Sequence, residues 1–240
     1  MLGTGNFLAE GRYWNSFLVE HEGGTVLFET SPSVLPNLRR AGKKAGELDA
    51  VVISHFHPDH TFGWPFLLLE LLGSGRAAPL FVVGPTGVEG FLEEMMRLGT
   101  VSDIWREAQD DLDLRFVEVE ATEEPSPVEV PFRLRAARVE HVPELECYGY
   151  LLETQAGRLG YSGDTKPCPG LDALAGGSDL LVVECNGLHP AKSHMDVDSV
   201  RALAEGHPDL RLVATHVGGA VAPAHLGRVE LPGDFQTIVL

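Results

Sequence analysis

Residues 50–60 read AVVISHFHPDH, and this stretch decides the architecture. Ala50 to Ser54 is a short apolar, β-branched run of the kind that forms a buried strand. It delivers the chain into His55-Phe56-His57. In extended backbone, residues two apart project to the same side. His55 and His57 can therefore grip one ion together while Phe56 points the other way, into the core. Pro58 ends the extended run, and Asp59 is well placed to open the following helix. That turn throws Asp59 and His60 toward a second position close by. Three imidazoles and a carboxylate within six residues form the borderline-soft donor set that suits zinc, and also iron or manganese. A single histidine is usually a surface or satisfied core residue, but four ligand-type side chains in this order at a strand end point to metal.

Working outward, further segments read as strands, being β-branched or aromatic-rich and bounded by turn residues. They are Ser16–Glu20, Thr25–Glu29, Leu80–Val83, Arg115–Val119, Phe132–His141, Tyr148–Thr154, Arg158–Ser162, Asp179–Glu184, Arg211–His216 and Gln236–Val239. Gly23-Gly24 and Ala156-Gly157 fit hairpin turns. Helical patterns interleave with them: Val34 to Ala41, His60 to Leu72, Thr86 to Leu98, and Asp196 to Glu205 behind an Asp196 cap. The second is apolar on most faces and is expected to be largely buried, with Phe66 in the core. Gly99 to Pro131, acidic and proline-containing, reads as a mobile loop or partial lid. Meandering strands mixed with helices predict a layered sheet-plus-helix domain, α/β (α+β), over residues 1–240.

The totals narrow the function. A chain of 240 residues, 44% hydrophobic, has the size and core content of one folded domain. No stretch approaches the roughly 18 consecutive apolar residues of a membrane helix. The opening MLGTGNFLAEGR lacks a basic start and an apolar middle, so a cytoplasmic location is the default expectation. Cys147, Cys168 and Cys185 are too few and too scattered for a disulfide framework or a thiolate site. Asp and Glu outnumber Lys and Arg by 35 to 18, a formal net charge of −17, which disfavours tight binding to nucleic acid.

HFHPDH matches the HxHxDH signature of the metallo-β-lactamase superfamily, and the resemblance extends over nearly the whole chain. LGTG at residues 2–5 and the Asn15-Ser16 pair resemble the tRNase Z and small phosphodiesterase branch. RVEHV at 138–142, YSGDT at 161–165 and ATHV at 214–217 follow in the family's order, each closing a predicted strand. The resemblance implies a four-layer αββα sandwich of two mixed β-sheets flanked by helices. It also implies two divalent metal ions, zinc first among them, with manganese or iron as alternatives. One would take His55, His57 and His141, and the other Asp59, His60 and His216. Asp164 would bridge them, on a tight turn that Gly163 permits. A hydroxide shared by the two ions would be the nucleophile, oriented by Asp59. His194, in SHMD, stands where phosphodiesterase members aim a histidine at the substrate, and Glu184 could pair with it or with a ligand histidine. His21, His189, His207 and His225 have no such context and are expected at the surface.

tRNase Z enzymes carry an arm for tRNA between the third ligand histidine and the bridging aspartate. Here only Val142 to Gly163 intervenes, enough for a hairpin. The expectation is therefore a metal-dependent hydrolase of a small phosphodiester or cyclic phosphate. Lactone or thioester hydrolysis on the same metals is the alternative, and a non-catalytic metal-binding module or a redox di-iron role ranks lower. The partner is a small-molecule substrate, without membrane association, and the oligomeric state, a homodimer included, is left open.

Overall fold

The computed structural model describes residues 1–99 and 102–240. Side-chain alternation along the strands builds it from the inside out. In β2 (Gly24–Phe28), Val26 and Phe28 face one side and Leu27 the other; in β3 (Ala50–Val52), Ala50 and Val52 oppose Val51. In β10 (Leu180–Glu184), Leu180 and Val182 oppose Leu181 and Val183. Strands apolar on both faces need cover on both, so the two sheets meet face to face with helices outside.

The first sheet has the order β1 (Phe17–His21), β2, β3, β4 (Leu80–Pro85), β5 (Leu114–Val119), parallel except for the β1–β2 hairpin. Its register aligns Leu27 with Val51, Val51 with Val82, and Val82 with Phe116. The second sheet has the order β11 (Arg211–Thr215), β10, β9 (Arg158–Tyr161), β8 (Cys147–Glu153), β7 (Arg133–Val139), β6 (Ser126–Pro127), with β9, β10 and β11 mutually parallel. Helices α1 (Val34–Arg40), α3 (Trp64–Leu72), α4 (Val88–Leu98) and α5 (Ser102–Asp111) cover the first sheet. Helices α6 (Pro169–Gly177) and α7 (Val197–Gly206) cover the second. Between the sheets, Phe17 stacks on Phe28 and both meet the edge of Tyr161. The expected αββα sandwich is present.

Several expectations need correction. Residues 60–72 form two helices: α2 (Pro58–Thr61) stops, and α3 restarts at Trp64. The break falls at Gly63, whose N–H donates to Thr30 O and where a Cβ would lie 2.1 Å from Ser31 O. The helix therefore crosses the β2–α1 connection with no room for a side chain. The restart rotates Phe66 out to 60% exposure and Trp64 fully inward, reversing the expected core position of Phe66. The 99–131 segment carries α5 and β5, with Trp105, Ala108 and Leu112 packed in the core. Helix and strand thus replace the expected loop over 102–119, while 120–125 and 128–131 are irregular, and Thr100 and Val101 lie outside the described residues. The acidic face that suggested a loop is the solvent side of an amphipathic helix. Residues 236–239 form no strand, although Ile238 packs against the inter-sheet core. The side chain of His21 is only 4% exposed, because it continues the inward alternation of Phe17 and Val19. His189 and His225 are exposed and His207 is half-buried. All three cysteines are free and buried. No described helix is long and apolar enough to cross a membrane.

Candidate metal centre

Parallel strands carry their C-terminal ends to one rim, and the candidate ligands leave from there. Ser54 and His55 follow β3, and Pro58 at the first position of α2 turns the chain so that Asp59 and His60 face back over the strand ends. From the second sheet come His141 after β7, Asp164 after β9 and His216 directly after β11. Gly163 (φ 58°) makes the turn that presents Asp164, and a Cβ there would lie 2.7 Å from Tyr148 O. His216 itself adopts a left-handed backbone (φ 50°), as does Glu29 (φ 64°) at the end of β2. Such geometry is costly for residues other than glycine and collects at functional sites.

The nitrogens converge in two trios. His55 Nε2 and His141 Nε2 lie 3.0 and 3.1 Å from His57 Nδ1. His141 Nδ1 lies 2.7 Å from the Ser193 carbonyl and must donate to it, so its Nε2 carries a lone pair. With lone pairs also on His55 Nε2 and His57 Nδ1, the three nitrogens would form a ready cradle for a cation. Tetrahedral zinc with bonds of about 2.0–2.1 Å holds its ligands roughly 3.3–3.4 Å apart, close to this spacing. In the second trio, Asp59 Oδ2 lies 3.3 Å from His216 Nε2 and 3.7 Å from His60 Nε2. Asp164 Oδ2 stands between the trios, 3.4 Å from both His60 Nε2 and His216 Nε2 and 3.9 Å from His55 Nε2.

Burial tests the fit. His60 Nδ1 and Nε2, His216 Nδ1 and Asp164 Oδ1 are buried without a hydrogen bond among the described residues. A cluster of orphaned polar atoms this deep is expensive unless an ion satisfies it. The electrostatics agree. Burial, followed by the charge of His60, holds His55 well below the usual histidine range, and burial likewise lowers His57 and His141. These rings stand ready as neutral ligands. At His60, burial opposes a positive charge, but Asp164 and Glu29 outweigh it and raise the group well above its usual value. Asp164 is held well below the carboxylate range, because His216, His60 and His55 overcome its burial. A pocket negative enough to keep a proton on a buried imidazole offers the same attraction to a metal cation. The donors therefore fit divalent metal.

Beneath the ligands runs a polar chain that sequence reading missed. Glu29 Oε1 lies 3.4 Å from His60 Nδ1 and accepts a hydrogen bond from Tyr161 Oη at 2.9 Å. Asn15 Nδ2 donates to Tyr161 Oη, and Thr215 Oγ1 donates to Asn15 Oδ1 at 2.6 Å. On the first trio, Ser54 Oγ bonds His55 Nδ1 at 2.9 Å. These partners hold the rings in orientation, as the supporting groups of metal ligands generally do. The signal for Glu29 was a lone acid closing the apolar strand TVLFE.

Glu184 is fully buried at the end of β10 and accepts from Thr165 N–H at 2.6 Å. His194 Nδ1 lies 3.0 and 3.1 Å from its two oxygens and 3.8 Å from Asp164 Oδ2. Burial, then Asp164, pushes Glu184 well up, and burial lowers His194. The structure thus brings Glu184 and His194 together beside the ligand cluster, with the His194 side chain 18% exposed.

Comparison with known proteins places this geometry. A family model described as Beta-lactamase superfamily domain matches residues 24–217. A ribonuclease Z of Mycolicibacterium gilvum is 29% identical over 198 residues, covering 76% of this chain and 66% of that enzyme. Matches to a ribonuclease BN of Citrobacter koseri and a ribonuclease Z of Clostridium perfringens cover 40% and 51% of their lengths. The chain thus spans under two thirds of these curated relatives. The crystal structure of human tRNase Z, short form, superposes with a TM-score of 0.77 at 22% identity, covering 99% of this chain and 97% of that one. A diphosphatase of the PhnP family gives 0.72 at 20% identity, covering 97% and 93%. With the model match spanning most of its length, the chain belongs to the metallo-β-lactamase superfamily.

Proposed function

We propose that the chain is a dinuclear metal-dependent hydrolase of small phosphodiesters or cyclic phosphates. The observation that carries the reading is the position of Asp164 Oδ2 between two three-residue donor sets. His55, His57 and His141 would hold one divalent ion and Asp59, His60 and His216 the other, with Asp164 shared. Zinc is the first choice for imidazole and carboxylate donors, and manganese or iron can substitute. When bound, such a pair supplies Lewis acidity, acidifying water and neutralising charge that develops on a phosphoryl group.

The protein's own groups do the rest. Glu184 holds the His194 ring through Nδ1, leaving Nε2 as the atom that, when the ring is doubly protonated, gives its proton to the departing oxygen or steadies a phosphoryl oxygen. Asp59, half-buried, orients the attacking water. The ribonuclease relatives and the PhnP-family diphosphatase support phosphoester chemistry. The short connection from Val142 to Gly163, occupied by the β8–β9 hairpin, supports a small substrate over tRNA.

The test is turnover of bis(p-nitrophenyl) phosphate by metal-reconstituted protein, with Asp164→Ala as control and metal content measured on both. Activity that vanishes in the variant supports the reading. Two bound ions without diesterase activity would move the assignment to lactones or thioesters. Protein that binds no metal would overturn it.

A further inference from the structure

The surroundings of the donor cluster are chemically lopsided. On the side of His216 and His194, the backbone N–H of Asn6 donates to Val217 O at 3.2 Å, and its Nδ2 donates to Asn186 Oδ1 at 2.7 Å. Val217 follows His216, and Asn186 N–H in turn donates to the carbonyl of Met195, the neighbour of His194. Asn6 is buried and so pins its loop between the two segments that carry these histidines. Its side chain also accepts from Leu8 N–H at 3.0 Å, closing a tight turn whose tip is Phe7-Leu8. With Cα atoms about 3.8 Å apart along the chain, that tip lies one to two residues from the anchor at the ligand edge. Phe7 is 57% exposed and Leu8 72% exposed. Two large apolar side chains on a firmly anchored loop, facing water in a chain of net charge −17, mark a contact surface.

The loop offers no cation. Arg12 is turned onto Thr4 Oγ1 at 2.7 Å and Pro232 O at 3.0 Å. On the His141 side, Glu140 is paired with Lys166 Nζ at 2.8 Å, which leaves exposed Glu144 and half-buried Glu146 as the acidic groups there. A polyanion would meet repulsion there, whereas a single phosphate charge can be met by the metal centre itself.

We propose that Phe7 and Leu8 determine substrate specificity, selecting singly charged phosphodiesters that carry an aromatic or apolar substituent, which rests on this loop. The inference builds on the phosphodiesterase reading and names its substrate class. An aromatic group gains by leaving water for Phe7 and Leu8 and stacks on the phenyl ring.

The experiment compares phenyl p-nitrophenyl phosphate with methyl p-nitrophenyl phosphate, which share one charge and one leaving group. Metal-reconstituted protein should prefer the phenyl diester by about tenfold in kcat/KM, mostly through KM. In Phe7→Ala/Leu8→Ala, which loses only exposed side chains, the preference should fall to about twofold or less. Calorimetric binding of methyl phenyl phosphate against dimethyl phosphate, two singly charged diesters without an activated leaving group, should show the same preference and the same collapse. If neither diester is hydrolysed, the phosphodiesterase reading fails while the calorimetry still decides the role of the rim. An equal preference in wild type and variant, or no difference in affinity between the two phosphates, would overturn the proposal.

Discussion

The two donor trios differ in origin and in surroundings. The first sheet supplies His55, His57, Asp59 and His60 from one uninterrupted turn, fixed by the β3 exit and by Pro58. The second supplies His141, Asp164 and His216 singly, each from a different strand end. Each trio nevertheless draws on both sheets, so neither ion could be held by half of the sandwich. The trios also sit in different fields. His55, His57 and His141 are lowered by burial, whereas His60 is raised by Asp164 and Glu29 against its burial. A local motif can thus announce donors for a metal, but bringing the two donor sets together needs the whole fold.

The sharpest way to break this picture is Asp164→Ala. It removes the one oxygen common to both trios and leaves buried imidazoles facing each other. Bound metal should fall from two ions to at most one, and diesterase turnover should drop by about 10³-fold or more. Metal analysis of dialysed protein with parallel kinetics checks both. Two ions retained at full occupancy would mean that the trios are independent sites.

Next in size is His194→Ala, which touches the comparison from outside. His194 Nδ1 meets Glu184, with Nε2 left for substrate. Turnover should fall about 10²–10⁴-fold while both ions stay bound. Loss of metal in this variant would make His194 a ligand instead of a proton donor.

Glu29→Gln should act mainly on one trio. The carboxylate lies beside His60 Nδ1 and accepts from Tyr161 Oη, and it reaches the first trio only indirectly, through the Ser54 N–H, whose Oγ bonds His55 Nδ1. Affinity for the second ion should weaken about 10–100-fold, with the first nearly unchanged. Stepwise metal titration separates the two. Equal weakening of both ions would show that the polar chain below the site supports the whole rim.

These variants also mark what was legible. The motif at 55–60 was readable because its geometry is local: alternation in a strand and a proline turn suffice. The layered fold was readable from meandering strands mixed with helices, and its four layers only through the family resemblance. His141, Asp164 and His216 carried weight only together, through order and strand ends, since each alone is an ordinary loop residue. Glu29, Ser54 and Tyr161 were not readable as supports, because their roles depend on which strands become neighbours. Phe66 failed for a related reason. The 60–72 run is apolar almost all round, so its pattern cannot say which face turns inward. The close passage of Gly63 under Ser31 sets that rotation. Helix α5 was hidden by its charge, its buried Trp105 and Ala108 being sparse against an acidic face.

The smallest expected effect is the most direct measure of how the trios differ. A metal-bound imidazole must first lose its ring proton, so protons and metal compete for each site. A histidine with a lowered pKa stays neutral as pH falls through the usual histidine range, and the proton competes weakly. A histidine with a raised pKa takes up its proton at higher pH and surrenders its metal earlier. On this sign, acidification from pH 8 toward pH 5 should release the ion at Asp59, His60 and His216 first. The ion at His55, His57 and His141 should persist to lower pH. The carboxylates that raise His60 also attract the metal, which compresses the difference, so a separation of about one pH unit is expected. Metal content against pH, read with a cobalt-substituted protein whose two sites absorb differently, resolves the order. Simultaneous release would mean that shared Asp164 couples the sites more strongly than their separate surroundings distinguish them, and release in the reverse order would contradict the field assigned to His60.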